Sequence, residues 1–440
     1  MRCVVIGGNA AGMSVAAKVM RSLKDVELTV YEQSGIVSFG SCGLPYYIGN
    51  YFSDHTMMFS RSPESFRKAG IDLKLHHRVT YVDVVNQKLT VRDADGNEFE
   101  DTYDTLVVTT GATAIRPPIE GIEKQQIYTL RDLSDGQAIK DALSQTGPHA
   151  VVVGGGFIGL EVAEALRKQG KEVRIIELED RLLKAALGSE IADLINTELE
   201  AHGVAVSLSE RVVAFSGEQR VSEVVTDTGR YPADLVVLSL GIRPNTQFLS
   251  DTGIKMLPNG AIIVDQYGRT SIEHIYAAGD CAAVPHMLTG KPTYAPLATT
   301  ANKLGRVIGE YLGGDDRGYP GTLSSACVKV FDLEIGRAGI TTDDEHVVSV
   351  VITDKNQTGY YPGQQDIMLK VVFDKKTRYV MGAEIAGKNG AALRLDALAI
   401  AIQKQVTIEE LSLADFCYAP PFSRTWDVMN IAGSVGRSKG

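Results

Sequence analysis

The chain has no apolar run of membrane length, no Cys-x-x-Cys pair and no low-complexity tract, and tryptophan occurs once in 440 residues, at Trp426. The first absence removes a spanning helix from consideration. Its five cysteines (Cys3, Cys42, Cys281, Cys327, Cys417) are odd in number and widely scattered. Neither a zinc ribbon nor a secreted disulfide framework is suggested, and no metal is expected. Positive charge is in deficit: 44 Lys and Arg against 54 Asp and Glu leave a formal charge of −10, which repels a phosphate backbone, so nucleic acid is not an expected partner. A basic leader is missing as well. Only Arg2 separates Met1 from the apolar run Cys3-Val4-Val5-Ile6, and the protein is expected to be cytoplasmic and without a membrane partner.

What is present is the composition of a fully folded chain, 44% hydrophobic and 22% charged, with a length that suggests about two to four domains. The N-terminus reads as a strand Arg2–Ile6, a turn Gly7-Gly8-Asn9-Ala10-Ala11-Gly12, an alanine-rich helix, and a strand from Glu27 ending at Glu32. A strand feeding a glycine turn sets backbone N–H groups and a helix N-terminus against a pyrophosphate, and an acid about 20 residues on accepts ribose hydroxyls. Glu32 is that acid. The middle glycine of the usual fingerprint is replaced by Asn9.

A second copy is complete: strand to Val153, then Gly154-Gly155-Gly156-Phe157-Ile158-Gly159, a helix, and a strand ending at Glu177. Two such copies some 150 residues apart predict two nucleotides bound by one chain. Further apolar strands close in glycine turns at Thr105-Leu106-Val107-Val108-Thr109-Thr110-Gly111-Ala112 and at Leu235 to Gly241. Another, Ile275-Tyr276-Ala277-Ala278-Gly279-Asp280, ends in an acid suited to a ribityl or phosphate group.

In this order, these segments resemble the two-dinucleotide-domain flavoprotein disulfide reductases over essentially the full chain. The resemblance implies an α/β fold with two Rossmann-like dinucleotide-binding domains and a C-terminal α+β dimerisation domain. An FAD domain would comprise residues 1–112 and 245–320, an NAD(P) domain 113–244, and the dimerisation domain 321–440. FAD would be held by Gly7, Gly12, Glu32, Gly111, Gly279, Asp280 and the helix starting near Ala298. NADH or NADPH would be held by Gly154, Gly156, Gly159 and Glu177.

Dithiol members of that family carry a second cysteine four residues from the first. Here Ser38-Phe39-Gly40-Ser41-Cys42-Gly43-Leu44-Pro45-Tyr46-Tyr47-Ile48-Gly49 contains Cys42 alone, so its oxidised equivalent must be a sulfenic acid or a mixed disulfide. This segment resembles the single-cysteine subgroup, in which coenzyme A-disulfide reductases stand beside NADH oxidases, NADH peroxidases and polysulfide reductases. The oxidase and peroxidase branch typically has a histidine where this chain has Ala10.

Tyr360-Tyr361-Pro362-Gly363 and Tyr418-Ala419-Pro420-Pro421-Phe422-Ser423 resemble the tyrosine motifs of the coenzyme A-disulfide reductases. There the hydroxyls complete the partner subunit's active site, so Tyr360 and Tyr418 are expected to act with Cys42 in a homodimer. Ser14, Lys18 and Arg21 share one helix face by their spacing. With Ser38, Ser41 and Asn302, they match the face that holds coenzyme A in those reductases. The sequence therefore implies an NAD(P)H-dependent flavoenzyme acting on coenzyme A disulfide or a related persulfide or polysulfide. The alternative is an NADH oxidase or peroxidase cycling Cys42 through a sulfenic acid. One departure is Trp426, where relatives place a lysine for the coenzyme's phosphates; Arg424 is the candidate substitute.

Overall fold

The computed structural model describes residues 1–342 and 345–439. They form two compact units, residues 1–43, 53–115 and 242–322 in one, and 44–52, 116–241, 323–342 and 345–439 in the other.

At the centre of the first unit is a five-stranded sheet in the order Ile275–Ala277, Thr105–Val108, Arg2–Ile6, Glu27–Glu32, Asp72–Leu75. All of its neighbouring pairs are parallel. Parallel strands covered on both faces read as continuous apolar runs. Val4 and Val5 at the centre are accordingly inaccessible to solvent. A three-stranded antiparallel sheet, Arg78–Asp83, Lys88–Arg92 and Glu98–Thr102, precedes the strand Thr105–Val108.

Helix Ala10–Ser22 follows the first glycine turn and lies against helix Ala298–Leu312 at unusually close range. A Cβ at Gly305 would stand 2.6 Å from the Ala11 carbonyl oxygen, one at Gly309 2.7 Å from the Lys18 Cβ, and one just beyond the helix at Gly313 2.4 Å from the Ser22 Cβ. Glycine every fourth residue lets the two backbones approach without an intervening side-chain layer. Val15 and Val19 on the partner helix are fully buried, each contributing on the order of 2 kcal/mol by removal from water.

The second unit repeats the plan. Its parallel sheet runs Val204–Ser207, Glu172–Ile176, His149–Val153, Leu235–Leu238, Ile127–Thr129. A small antiparallel sheet, Val212–Ser216, Glu223–Thr226 and Arg230–Pro232, again immediately precedes one of these strands, Leu235–Leu238, in the chain. Residues Leu44–Phe52 also belong to this unit, although the sequence places them within the FAD domain. The reason is apolar: Leu44, Pro45, Tyr47 and Ile48 are buried, and their helix packs on Leu133–Leu143 and Phe157–Lys168.

The C-terminal part is a five-stranded antiparallel sheet in the order Ala326–Val330, Leu333–Gly339, Val380–Gly387, Asp366–Asp374, Val347–Lys355. Helices Ala391–Gln403 and Val428–Arg437 pack on it. Among the described residues, no helix is long and apolar enough to cross a membrane.

Candidate active site

The two glycine turns are built alike. Gly7 and Gly154 have φ of +104° and +106°, a region that disfavours side chains. A Cβ on Gly12 or Gly159 would run into the carbonyl of Gly7 or Gly154 respectively, so the third glycine of each fingerprint is required for helix–strand packing. Gly156 differs, because a Cβ there would meet no protein atom within 4 Å. Protein packing therefore does not demand glycine at that position, whereas a pyrophosphate approaching the helix N-terminus would.

Each strand-end acid is tied to its own turn. The Gly8 N–H donates to Glu32 (2.7 Å), and the Gly155 N–H donates to Glu177 (2.6 Å). Carboxylate lone pairs remain for ribose hydroxyls. Helices Ala10–Ser22, Phe157–Lys168 and Ala298–Leu312 have no side-chain N-cap, which leaves their first N–H groups available to an anionic ligand. The residues present thus fit one dinucleotide in each unit.

Asn9, the departure from the first fingerprint, has a structural role. Asparagine is a strong N-cap, yet here its Oδ1 accepts the Phe39 N–H at 2.8 Å instead. Ser38, at φ +53°, donates its N–H to the Gly8 carbonyl at 3.0 Å. These two bonds fasten the Cys42 segment to the glycine turn. Cys42 itself is exposed, in the single-turn 3-10 helix Ser41–Gly43.

The remaining thiols are placed differently. Burial pushes Cys3 up to about 12 and Cys281 up to about 11, which removes both as nucleophiles near neutral pH. Desolvation, and then the charges of Asp396, Glu161 and Glu334, raise Cys327. Cys417 is exposed, immediately before Tyr418. No disulfide joins any of the five.

The expected flavin residues all fall in the first unit. Gly279 approaches the first helix closely, a Cβ there lying 3.0 Å from that of Ala11. Gly111, at φ +66°, accepts the Asn245 N–H at 3.0 Å. The Asp280 carbonyl accepts the Tyr294 hydroxyl at 3.0 Å.

The substrate-face residues are partly brought together. Ser14 donates to Asn302 Oδ1 at 2.9 Å, and Asn302 bonds back to the Ala298 carbonyl. Lys18, however, is ion-paired with Glu310 at 3.0 Å, and the same carboxylate receives Arg306 at 2.9 Å. These two cations hold Glu310 below the usual carboxylate range. Arg21 is exposed and, among the described residues, makes no ion pair. Arg424 is paired with Asp354, while Trp426 is about half exposed.

In the second unit the Tyr360 and Tyr418 hydroxyls are 3.0 Å apart and exposed. That hydrogen bond holds the Tyr418 phenol above its ordinary range. A further feature has no local sequence signal. Burial pushes the Glu161 carboxyl, one turn into the second fingerprint helix, up to about 7, while the Tyr46 hydroxyl donates to it at 3.2 Å.

Residues 1–303 match the pyridine nucleotide-disulphide oxidoreductase family, and residues 325–429 match that family's dimerisation domain. The chain belongs to this family. An NADH oxidase of Methanocaldococcus jannaschii is 35% identical, covering 100% of this chain and 99% of that protein. An NAD(P)H coenzyme A polysulfide/persulfide reductase of Pyrococcus horikoshii is 34% identical over 99% of this chain and 98% of that one. Among solved structures, an NAD-dependent persulfide reductase from A. fulgidus is 37% identical with a TM-score of 0.95, covering 100% of this chain and 83% of that chain. As in other family members, the fold is mixed α/β with a dimerisation domain following the nucleotide domains.

Proposed function

We propose that this oxidoreductase uses FAD and NAD(P)H to reduce coenzyme A disulfide, or a related coenzyme A persulfide or polysulfide, through Cys42. The observation that carries the reading is that Cys42 is an exposed thiol on a segment fastened by Asn9 and Ser38 to the first dinucleotide turn. The relative from Pyrococcus horikoshii, named for coenzyme A polysulfide and persulfide, supports the substrate class.

Gly7, Gly12, Glu32, Gly111, Gly279, Asp280 and the helix from Ala298 would hold FAD, and Gly154, Gly156, Gly159 and Glu177 the nicotinamide dinucleotide. Bound flavin supplies two-electron transfer from a nicotinamide hydride to sulfur. The Cys42 thiolate attacks one sulfur of the substrate, forming a mixed disulfide as the other sulfur departs as a thiolate. Tyr360 and Tyr418 of the dimer partner's C-terminal domain donate a hydrogen bond or proton to that leaving sulfur. Ser14, Arg21, Ser38, Ser41 and Asn302, with Lys18, orient the coenzyme portion. Glu177 disfavours a 2′-phosphate by like charge, so NADH is expected to serve at least as well as NADPH.

The oxidase reading is favoured by the 35% identical relative named NADH oxidase. One experiment separates the two. NADH consumption is followed with coenzyme A disulfide under nitrogen, and with air alone, for the parent protein and Cys42→Ser. Turnover that needs the disulfide and is lost in Cys42→Ser supports the proposal. Oxygen uptake as fast without disulfide would replace it with the oxidase.

A further inference from the structure

The segments carrying Tyr360 and Tyr418 are joined at three levels, spaced two residues apart on each strand of chain. At the exposed tip the hydroxyls of Tyr360 and Tyr418 meet at 3.0 Å. Two residues further in, the Thr358 hydroxyl donates to the Pro420 carbonyl at 3.2 Å. Two residues beyond that, the carbonyls of Asn356 and Phe422 both accept from one guanidinium nitrogen, Nη2 of Arg394, at 2.9 and 3.1 Å.

Arg394 is itself held from below. Its Nε donates to one carboxylate oxygen of Asp427 at 2.9 Å, its Nη2 lies 2.8 Å from the same oxygen in the ion pair, and its Nη1 donates to the Gly390 carbonyl at 3.1 Å. Both partners of this ion pair are buried. The other Asp427 oxygen accepts the Met429 N–H and caps helix Val428–Arg437.

We infer that Arg394 is a positioning residue for thiol release, setting the spacing of the two tyrosine segments from their buried base so that the hydroxyls meet at the tip. The inference rests on the reading of Tyr360 and Tyr418 as donors to the leaving thiolate. Arginine is needed for its geometry. A planar fork can serve a carboxylate and two carbonyls at once, whereas the point charge of lysine cannot keep all of these directions. Gln357 restrains the Tyr360 loop separately, through the Pro362 carbonyl at 2.9 Å. Loss of Arg394 should therefore shift the loops relative to each other without dissolving either.

The test uses FAD-loaded enzyme in four forms: parent, Arg394→Lys, Tyr360→Phe and the double variant. Asp427→Asn is a second probe, because asparagine preserves the helix cap while loosening the grip on Arg394. Flavin reduction by NADH, followed by stopped flow, should be unchanged in all of them, which also reports that each has folded. Steady-state kcat with coenzyme A disulfide should fall about tenfold in Arg394→Lys, since small misplacements of reacting groups have effects of that size or larger. The double variant should turn over no more slowly than Tyr360→Phe, because a residue that acts by bringing the two hydroxyls together has no pair left to bring together once one of them is removed. If Tyr360→Phe slows turnover while Arg394→Lys does not, or if the two effects multiply, the positioning role is wrong and the tyrosine role stands. If Tyr360→Phe leaves turnover intact, the donor reading fails and this inference fails with it.

Discussion

The Tyr360 and Tyr418 hydroxyls form a hydrogen bond with each other at 3.0 Å, 58 residues apart in the chain and both open to solvent. In such a pair one phenol spends its proton on the other, and the second keeps a proton to donate outward. Replacing both by Phe should leave flavin reduction by nicotinamide at its normal rate in a stopped-flow trace and abolish most disulfide turnover. Unchanged turnover in the double Phe variant would show that the leaving thiol needs neither hydroxyl.

Glu161 should dominate one limb of the stability profile. Its folded value of about 7 lies above the ordinary 4.5 because burial disfavours the charged form. A raised value means that the stabilisation is complete below about 4.5 and is lost as pH rises through about 7, by roughly 3 kcal/mol if the whole shift is realised. The melting temperature of the parent should therefore fall between about pH 4.5 and about pH 7, and Glu161→Gln should fall less over the same range. Equal losses in the two proteins would assign the titration to another group.

Asn9→Gly would complete the first fingerprint, yet it should destabilise the protein by about 1 kcal/mol, the value of a typical intramolecular hydrogen bond. The Phe39 N–H would lose its acceptor. Hydrogen exchange at Phe39 and Gly40 should accelerate in the variant. Identical exchange in both proteins would mean that the bond does not hold the Cys42 segment.

The substrate-face cations should not be equivalent. Lys18 is already neutralised by Glu310, whereas Arg21 is exposed without an ion pair among the described residues. Arg21→Ala should raise KM for coenzyme A disulfide about tenfold, as expected for one charge-assisted hydrogen bond. Lys18→Ala should raise it less, and neither should affect a small uncharged disulfide. A larger effect at Lys18 than at Arg21 would reverse this ranking.

The parts of the molecule that were legible in sequence are those constrained by their own neighbours. Gly7, Gly12, Gly154 and Gly159 are dictated by turn conformation and helix–strand contact within a dozen residues, so the two nucleotide-binding units could be read directly. Ser14 and Asn302 could be paired only through resemblance, being 288 residues apart. Nothing local marks Asn9 as the acceptor for Phe39, or Glu310 as the partner of Lys18. Glu161 reads as an ordinary helix-surface acid until the helix Leu44–Ile48 covers it. Arg394 reads as a charge in an apolar helix, and its function comes from carbonyls that tertiary folding delivers from two distant loops.

The glycines at 305, 309 and 313 bear on how this protein could change its substrate. Because helices Ala10–Ser22 and Ala298–Leu312 meet backbone to backbone, the scaffold beneath the exposed side chains of Asn302 and Arg306 does not depend on their size. The outward positions of the pair can drift in charge and length while the inward ones are frozen. If this face receives the thiol substrate, as proposed, selection for a different thiol could then act on a handful of surface codons.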